Sequence, residues 1–133
     1  MASIIEIKIP KALASILQIP INDNRRQQLR VLKKLLKKAR FTSFGQRYHF
    51  DQALLSKHPG KKFQELVPIH DYNKIYNEWW KQTLDGTPDV TWPGKIKYYA
   101  LSSGTSEAAS KYIPVTNDLL RSNMINYLRQ LLS

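Results

Sequence analysis

At Ile96 the texture of the chain changes. Two β-prone runs, Ile96–Leu101 and Lys111–Thr116, are rich in aromatic and branched residues, and the polar stretch from Ser102 to Ser110 separates them. The rest of the chain between Asn24 and its end is patterned mainly for helices. A strand, a long loop and a second strand set among helices make an α/β chain: N-terminal helices, then the strand–loop–strand unit, then a further helix.

The helices announce themselves by apolar spacing. After Asn22-Asp23-Asn24, whose side chains suit an N-cap, Leu29, Leu32, Leu36 and Ala39 recur at helical intervals, with Val31 and Leu35 widening the stripe. Phe41 to Gly45 is expected to end that helix, with Gly45 as a turn residue. A short helix is expected from about Asp51 to Ser56, followed by a break at His58-Pro59-Gly60. Asp71 can cap a helix through Trp80 that carries Tyr72, Ile75, Tyr76 and Trp79. Asp85-Gly86-Thr87-Pro88 and Trp92-Pro93-Gly94 read as turns. Asn117-Asp118 is expected to cap a last helix whose apolar positions, Leu119, Leu120, Met124, Tyr127, Leu128 and Leu131, continue to the chain end without a stop signal.

A chain of 133 residues with 42% hydrophobic and 11% aromatic residues is too rich in core-forming side chains for intrinsic disorder, and its length suits one unit. Cysteine is absent, which excludes a disulfide framework and a thiolate zinc site. Charged residues and Pro10 interrupt the first twenty positions, so no signal peptide is expected, nor any membrane span. A cytoplasmic location is the plain expectation. Lysine and arginine number 21 against 10 acidic residues, and the net charge of +11 points to an anionic partner. Much of the surplus lies in Arg25–Arg40, where Arg25, Arg26, Arg30, Lys33, Lys34, Lys37, Lys38 and Arg40 occur without one carboxylate.

The polar loop carries the chemistry. Ser102, Ser103, Thr105 and Ser106 surround Gly104 with hydroxyls, which can join freed backbone amides in donating to phosphate oxygens. Lys111 closes the loop with an ammonium able to balance polyphosphate charge. Ala109 and Ser110 stand where a Walker loop needs its second glycine and lysine, so kinase-like or GTPase-like chemistry has no support. Taken alone, the cluster reads first as an ordinary turn, because such residues are common turn formers.

The longer string is more specific. Tyr98-Tyr99-Ala100-Leu101-Ser102-Ser103-Gly104-Thr105-Ser106, with Ser110-Lys111-Tyr112-Ile113-Pro114-Val115-Thr116, closely resembles the first nucleotide motif of the auxin-responsive Gretchen Hagen family of acyl-acid amido synthetases. That family belongs to the luciferase-like adenylate-forming superfamily. Leu29 to Leu32, Ala39 to Gly45, Phe63 to Pro68 and Asp71-Tyr72 extend the resemblance upstream in the family's order, from about Asn24 onward. Met1 to Ile21 reads as a variable N-terminal segment. The resemblance implies that the chain is the N-terminal portion of a larger adenylate-forming domain, with further sequence beyond Ser133.

By the same resemblance, Ser102, Ser103, Gly104, Thr105, Ser106 and Lys111 would hold the phosphates of ATP. The reaction would be ATP-dependent activation of a carboxylic acid and its conjugation to an amine, usually of an amino acid. The ligand for Mg2+, the adenine pocket and the acyl pocket would lie outside this chain, which alone is expected to be inactive, and no catalytic residue is assigned. The sequence departs from the motif at Ala108, where the plant form carries glycine, and Glu107 adds a negative charge beside it.

Two further readings complete the sequence argument. The Arg25–Arg40 helix is an alternative basic nucleic-acid-binding module, although its apolar periodicity already accounts for it as a packed helix with a solvated face, and no specific nucleic-acid partner is expected. His49, His58 and His70 show no metal-ligand spacing, and no metal site is expected from them.

Overall fold

A computed structural model describes residues 24–102 and 110–132. Five helical segments come first: α1 (Asn24–Ala39), α2 (Ser43–Arg47), α3 (Phe50–Leu55), α4 (Pro59–Leu66) and α5 (Tyr72–Ile75). The last continues through a π-helical stretch (Tyr76–Trp80) into α6 (Lys81–Leu84). Strands β1 (Tyr98–Ser102) and β2 (Lys111–Val115) follow, and then α7 (Asn117–Leu132). The order of helices, strand–loop–strand and helix is the one implied by the sequence. The described residues are mostly helical, and their sheet is a single antiparallel pair.

Leu36 and Ala39 of α1 meet Phe50 and Ala53 of α3 in the buried core, and Leu32, Phe63, Leu66 and Trp92 pack around them. Val31 and Leu35 do not widen this contact: they remain 56% and 46% exposed. At 100° per residue they sit to the side of the Leu32–Leu36–Ala39 line that faces the core.

Phe44 links the core to the rest of the fold. Its ring meets Tyr48 at 4.7 Å, Trp79 at 5.0 Å, His70 at 5.7 Å and Phe50 at 5.9 Å, mostly edge to face. In the π-helical stretch the Lys81 N–H reaches back to the Tyr76 carbonyl. The wider turn serves two aromatic neighbours, with Trp79 against Phe44 and Tyr48 and Trp80 against Tyr72.

Three local expectations are corrected. Gly45 is not a turn residue: it lies within α2, and a Cβ there would overlap the Ala39 carbonyl oxygen and crowd Arg40 Cα. Thr42 caps α2, its buried hydroxyl donating to the Ala39 carbonyl at 2.7 Å and accepting the Gly45 N–H at 3.0 Å. Pro59 does not simply break the chain; it opens α4, where its fixed φ and missing N–H suit a first turn. Finally, Thr116 rather than the Asn117-Asp118 pair caps α7, because the Thr116 hydroxyl accepts the Leu119 N–H at 3.1 Å.

The segment between α6 and β1 is stitched back onto α2. Asp89, at φ 54°, exchanges main-chain and side-chain contacts with Gly94, at φ 87°, including a 2.6 Å bond from the Gly94 N–H to the Asp89 carboxylate. The carbonyls of Asp89 and Val90 then accept the N–H groups of Ser43 and Phe44 at 2.8 and 2.9 Å. This loop thereby satisfies the open donors at the start of α2 and buries Val90.

Candidate functional site

The β1–β2 register runs from Tyr98 opposite Val115 to Ser102 opposite Lys111. Ser102 and Lys111 are therefore the last pair before the loop. Directly paired Cα atoms in an antiparallel ladder lie about 5 Å apart, so the polar segment leaves and returns at one place. Both residues are exposed at that mouth. Ser103, Gly104, Thr105 and Ser106 lie outside the described residues, as do Glu107 and Ala108.

An isolated two-stranded hairpin is marginal in water, so its position depends on what it leans upon. The Tyr99 hydroxyl donates to Thr83 Oγ1 at 2.8 Å, and the buried Thr83 hydroxyl donates to the Trp80 carbonyl at 2.6 Å. On β2, the Tyr72 hydroxyl accepts the Tyr112 N–H at 2.8 Å and approaches the Tyr112 carbonyl at 3.4 Å. Lys111 Nζ lies 5.2 Å from the centre of the Tyr72 ring, within cation–π range. Tyr72 is itself stacked on Tyr76 at 5.6 Å with 20° between the rings.

The far end of the hairpin is secured through α7. Asp118 accepts the Trp92 indole N–H at 2.9 Å and pairs with Lys38 at 2.7 Å. The hydrogen bond from Lys38, then that from Trp92, hold its carboxyl below the ordinary range for aspartate. This junction joins α1, the Asp89–Gly94 loop and α7, and nothing in local periodicity announces it. The remainder of α7 has no buried residue, and Leu120, Met124, Tyr127, Leu128 and Leu131 are exposed along it.

The histidines are occupied structurally or stand apart. His70 Nδ1 lies 2.8 Å from the Pro68 carbonyl, so that nitrogen carries the donating proton, while Nε2 meets the Tyr48 hydroxyl at 3.3 Å and Glu78 at 3.6 Å. Among the described residues no group of three or more His, Asp or Glu side chains could hold a metal ion. The pair at the hairpin mouth, a hydroxyl and an ammonium, is no Mg2+ donor set either. All eight basic residues of Arg25–Arg40 are exposed, with Lys38 engaged by Asp118. No helix among the described residues is long and apolar enough to cross a membrane.

The helices thus hold the hairpin by tyrosine hydroxyls, with Ser102 and Lys111 paired where the polar stretch begins and ends. The chain belongs to the GH3 family, matching its N-terminal domain over residues 17–133. Membership implies an acyl-acid amido synthetase, one of the adenylating ligases that use ATP. Neither curated proteins nor solved structures include a match to the chain.

Proposed function

We propose that this chain is the N-terminal part of an ATP-dependent ligase that activates a carboxylic acid and conjugates it to an amine, most simply that of an amino acid, with residues 102–111 as the loop for the ATP phosphates. The observation that carries the reading is the pairing of Ser102 with Lys111 at the mouth of a supported hairpin, in a chain of the GH3 family.

The roles follow from the chemistry of the side chains. Hydroxyls of Ser102, Ser103, Thr105 and Ser106 donate to phosphate oxygens, Gly104 admits the close approach of an anion, and the Lys111 ammonium offsets its charge. Neutral donors and one cation suit a reaction in which a carboxylate attacks the α-phosphate and pyrophosphate departs, because the protein's task there is alignment and charge stabilisation. The metal that accompanies ATP in such chemistry finds no donor set among the described residues.

The test is acid-dependent pyrophosphate exchange in the full-length protein. Thr105→Ala and Lys111→Ala should each lower the exchange rate by at least tenfold, the scale seen when one preorganised donor or charge is lost, while the thermal melt stays near that of the parent. Exchange at the parental rate in both variants removes these residues from the phosphate site.

A further inference from the structure

Lys111 is exposed on a two-stranded hairpin, and a lysine ammonium on a four-carbon stem has wide freedom there. A flexible cation is a poor counter-charge for a polyphosphate, since its ordering costs entropy at the moment of binding. Something must restrict it for the loop to work well. The neighbours of Lys111 supply one candidate, and it comes from a different element.

Asp71 caps α5, its carboxylate accepting the Lys74 N–H at 2.7 Å, and this sets the first turn from which Tyr72 projects. The Tyr72 side chain then makes two kinds of contact with the start of β2. Its hydroxyl engages both the N–H and the carbonyl of Tyr112, at 2.8 and 3.4 Å, so at this position the polar edge of β2 is closed by a side chain. Lys111 Nζ lies over its ring at 5.2 Å from the centroid, and Tyr76 stacks on the same ring at 5.6 Å. One tyrosine thus holds both the backbone that carries Lys111 and the ammonium itself.

We infer that Tyr72 is a positioning residue for the ATP site, fixing Lys111 at the mouth of the phosphate loop; the inference rests on the phosphate-loop reading of residues 102–111. The ring takes one side of the ammonium and leaves N–H donors free for phosphate oxygens. The restraint exists before ATP arrives, so less of the ordering is left for the binding step.

The experiment uses the full-length protein and has an arm without nucleotide. In that arm the Lys111 ε-methylene protons, observed by NMR, should be shifted upfield by the ring current of Tyr72. The shift should persist in Tyr72→Phe, which keeps the ring, and vanish in Tyr72→Leu. In the second arm ATP is titrated into the parent, Tyr72→Leu, Tyr72→Phe, Lys111→Ala and the Tyr72→Leu/Lys111→Ala double variant, each checked for an intact fold by near-ultraviolet circular dichroism. Tyr72→Leu alone should weaken ATP about five- to tenfold, Tyr72→Phe should restore part of this, and in the Lys111→Ala background the same change should cost less than about twofold.

Equal losses with and without Lys111 make Tyr72 a merely structural residue and overturn the inference. A Lys111 resonance without a ring-current shift does the same. Should Lys111→Ala leave ATP affinity untouched, the phosphate-loop reading fails first, and the inference falls with it. Dependence on Lys111 with indifference to Tyr72 sinks the inference alone.

Discussion

Replacing Gly45 by alanine tests the packing of this fold at its tightest point. Inside a helix the change should help, by about 1 kcal/mol, because glycine has more conformational freedom to lose. Here the added methyl meets backbone: it overlaps the Ala39 carbonyl oxygen, with Ala39 C and Arg40 Cα each 3.0 Å away. Backbone cannot rotate aside as a side chain tip can. Either α2 moves off the end of α1 or the α1 terminus unwinds.

Both movements strain the same contacts. The Thr42 hydroxyl bridges Ala39 and Gly45, and Ser43 and Phe44 are bonded to the Asp89–Val90 carbonyls. Overpacking of this kind costs about 1–3 kcal/mol, and weakening a buried cap adds about 1–2 kcal/mol. After the gain in helix propensity, the net loss is about 1–4 kcal/mol. For a domain of this size each kcal/mol moves the melting temperature by about 3–6 °C, so a drop of at least several degrees is expected. Thermal and urea unfolding, followed by near-ultraviolet circular dichroism, measure it. Thr42→Ala, which adds no bulk, should cost about 1–2 kcal/mol through the cap alone. A Gly45→Ala protein as stable as the parent, or more so, would refute the close-approach argument.

Acid should loosen the junction at Asp118. Its carboxyl is held below its ordinary range by Lys38 and Trp92, so its contribution is complete above about pH 4, the unfolded value, and is lost as pH falls through the lower folded value. The pair is partly exposed, which limits the effect to under about 1 kcal/mol; the Trp92 indole N–H resonance should shift over that acidic range in the parent and not in Asp118→Asn. The exposed basic face of α1 should bind DNA or RNA only weakly, without sequence preference, and with steep loss as salt rises, because counterion release is its main source of affinity. A salt-resistant, sequence-selective complex abolished by changing Lys33, Lys34 and Lys37 to glutamine would instead make that helix a specific nucleic-acid site.

Much of the architecture was legible along the chain because its signals are local. The Leu29, Leu32, Leu36, Ala39 spacing marks one face of α1, the Asp71 side chain caps α5 three residues on, and two β-prone runs rich in aromatic and branched residues bracket a polar loop. Hence two strands flanking a polar loop, with Lys111 at its far end, could be expected from the sequence, whereas the antiparallel pairing that sets Ser102 opposite Lys111 emerges only in the fold. The likeness of residues 98–116 to a nucleotide motif supplied the chemical reading.

What the sequence could not determine depends on distances between elements. Glycine at position 45 signals a turn in isolation, and only the Ala39 carbonyl folded against it makes it a contact residue. Pro59 carries the same fixed φ whether it ends a segment or begins a helix, and the docking of α4 on α1 and α3 decides which. Val31 and Leu35 continue the apolar stripe on α1 and yet stay exposed, because which part of a stripe is covered depends on the elements that dock on it. Tyr72 lies forty residues before Tyr112, and Trp92 and Lys38 reach Asp118 from two other parts of the chain. Periodicity records which face a residue occupies over a few turns. Partners at long range are chosen by tertiary packing, since a hydroxyl, an indole N–H or an ammonium can satisfy itself with water until the fold brings an acceptor within about 3 Å.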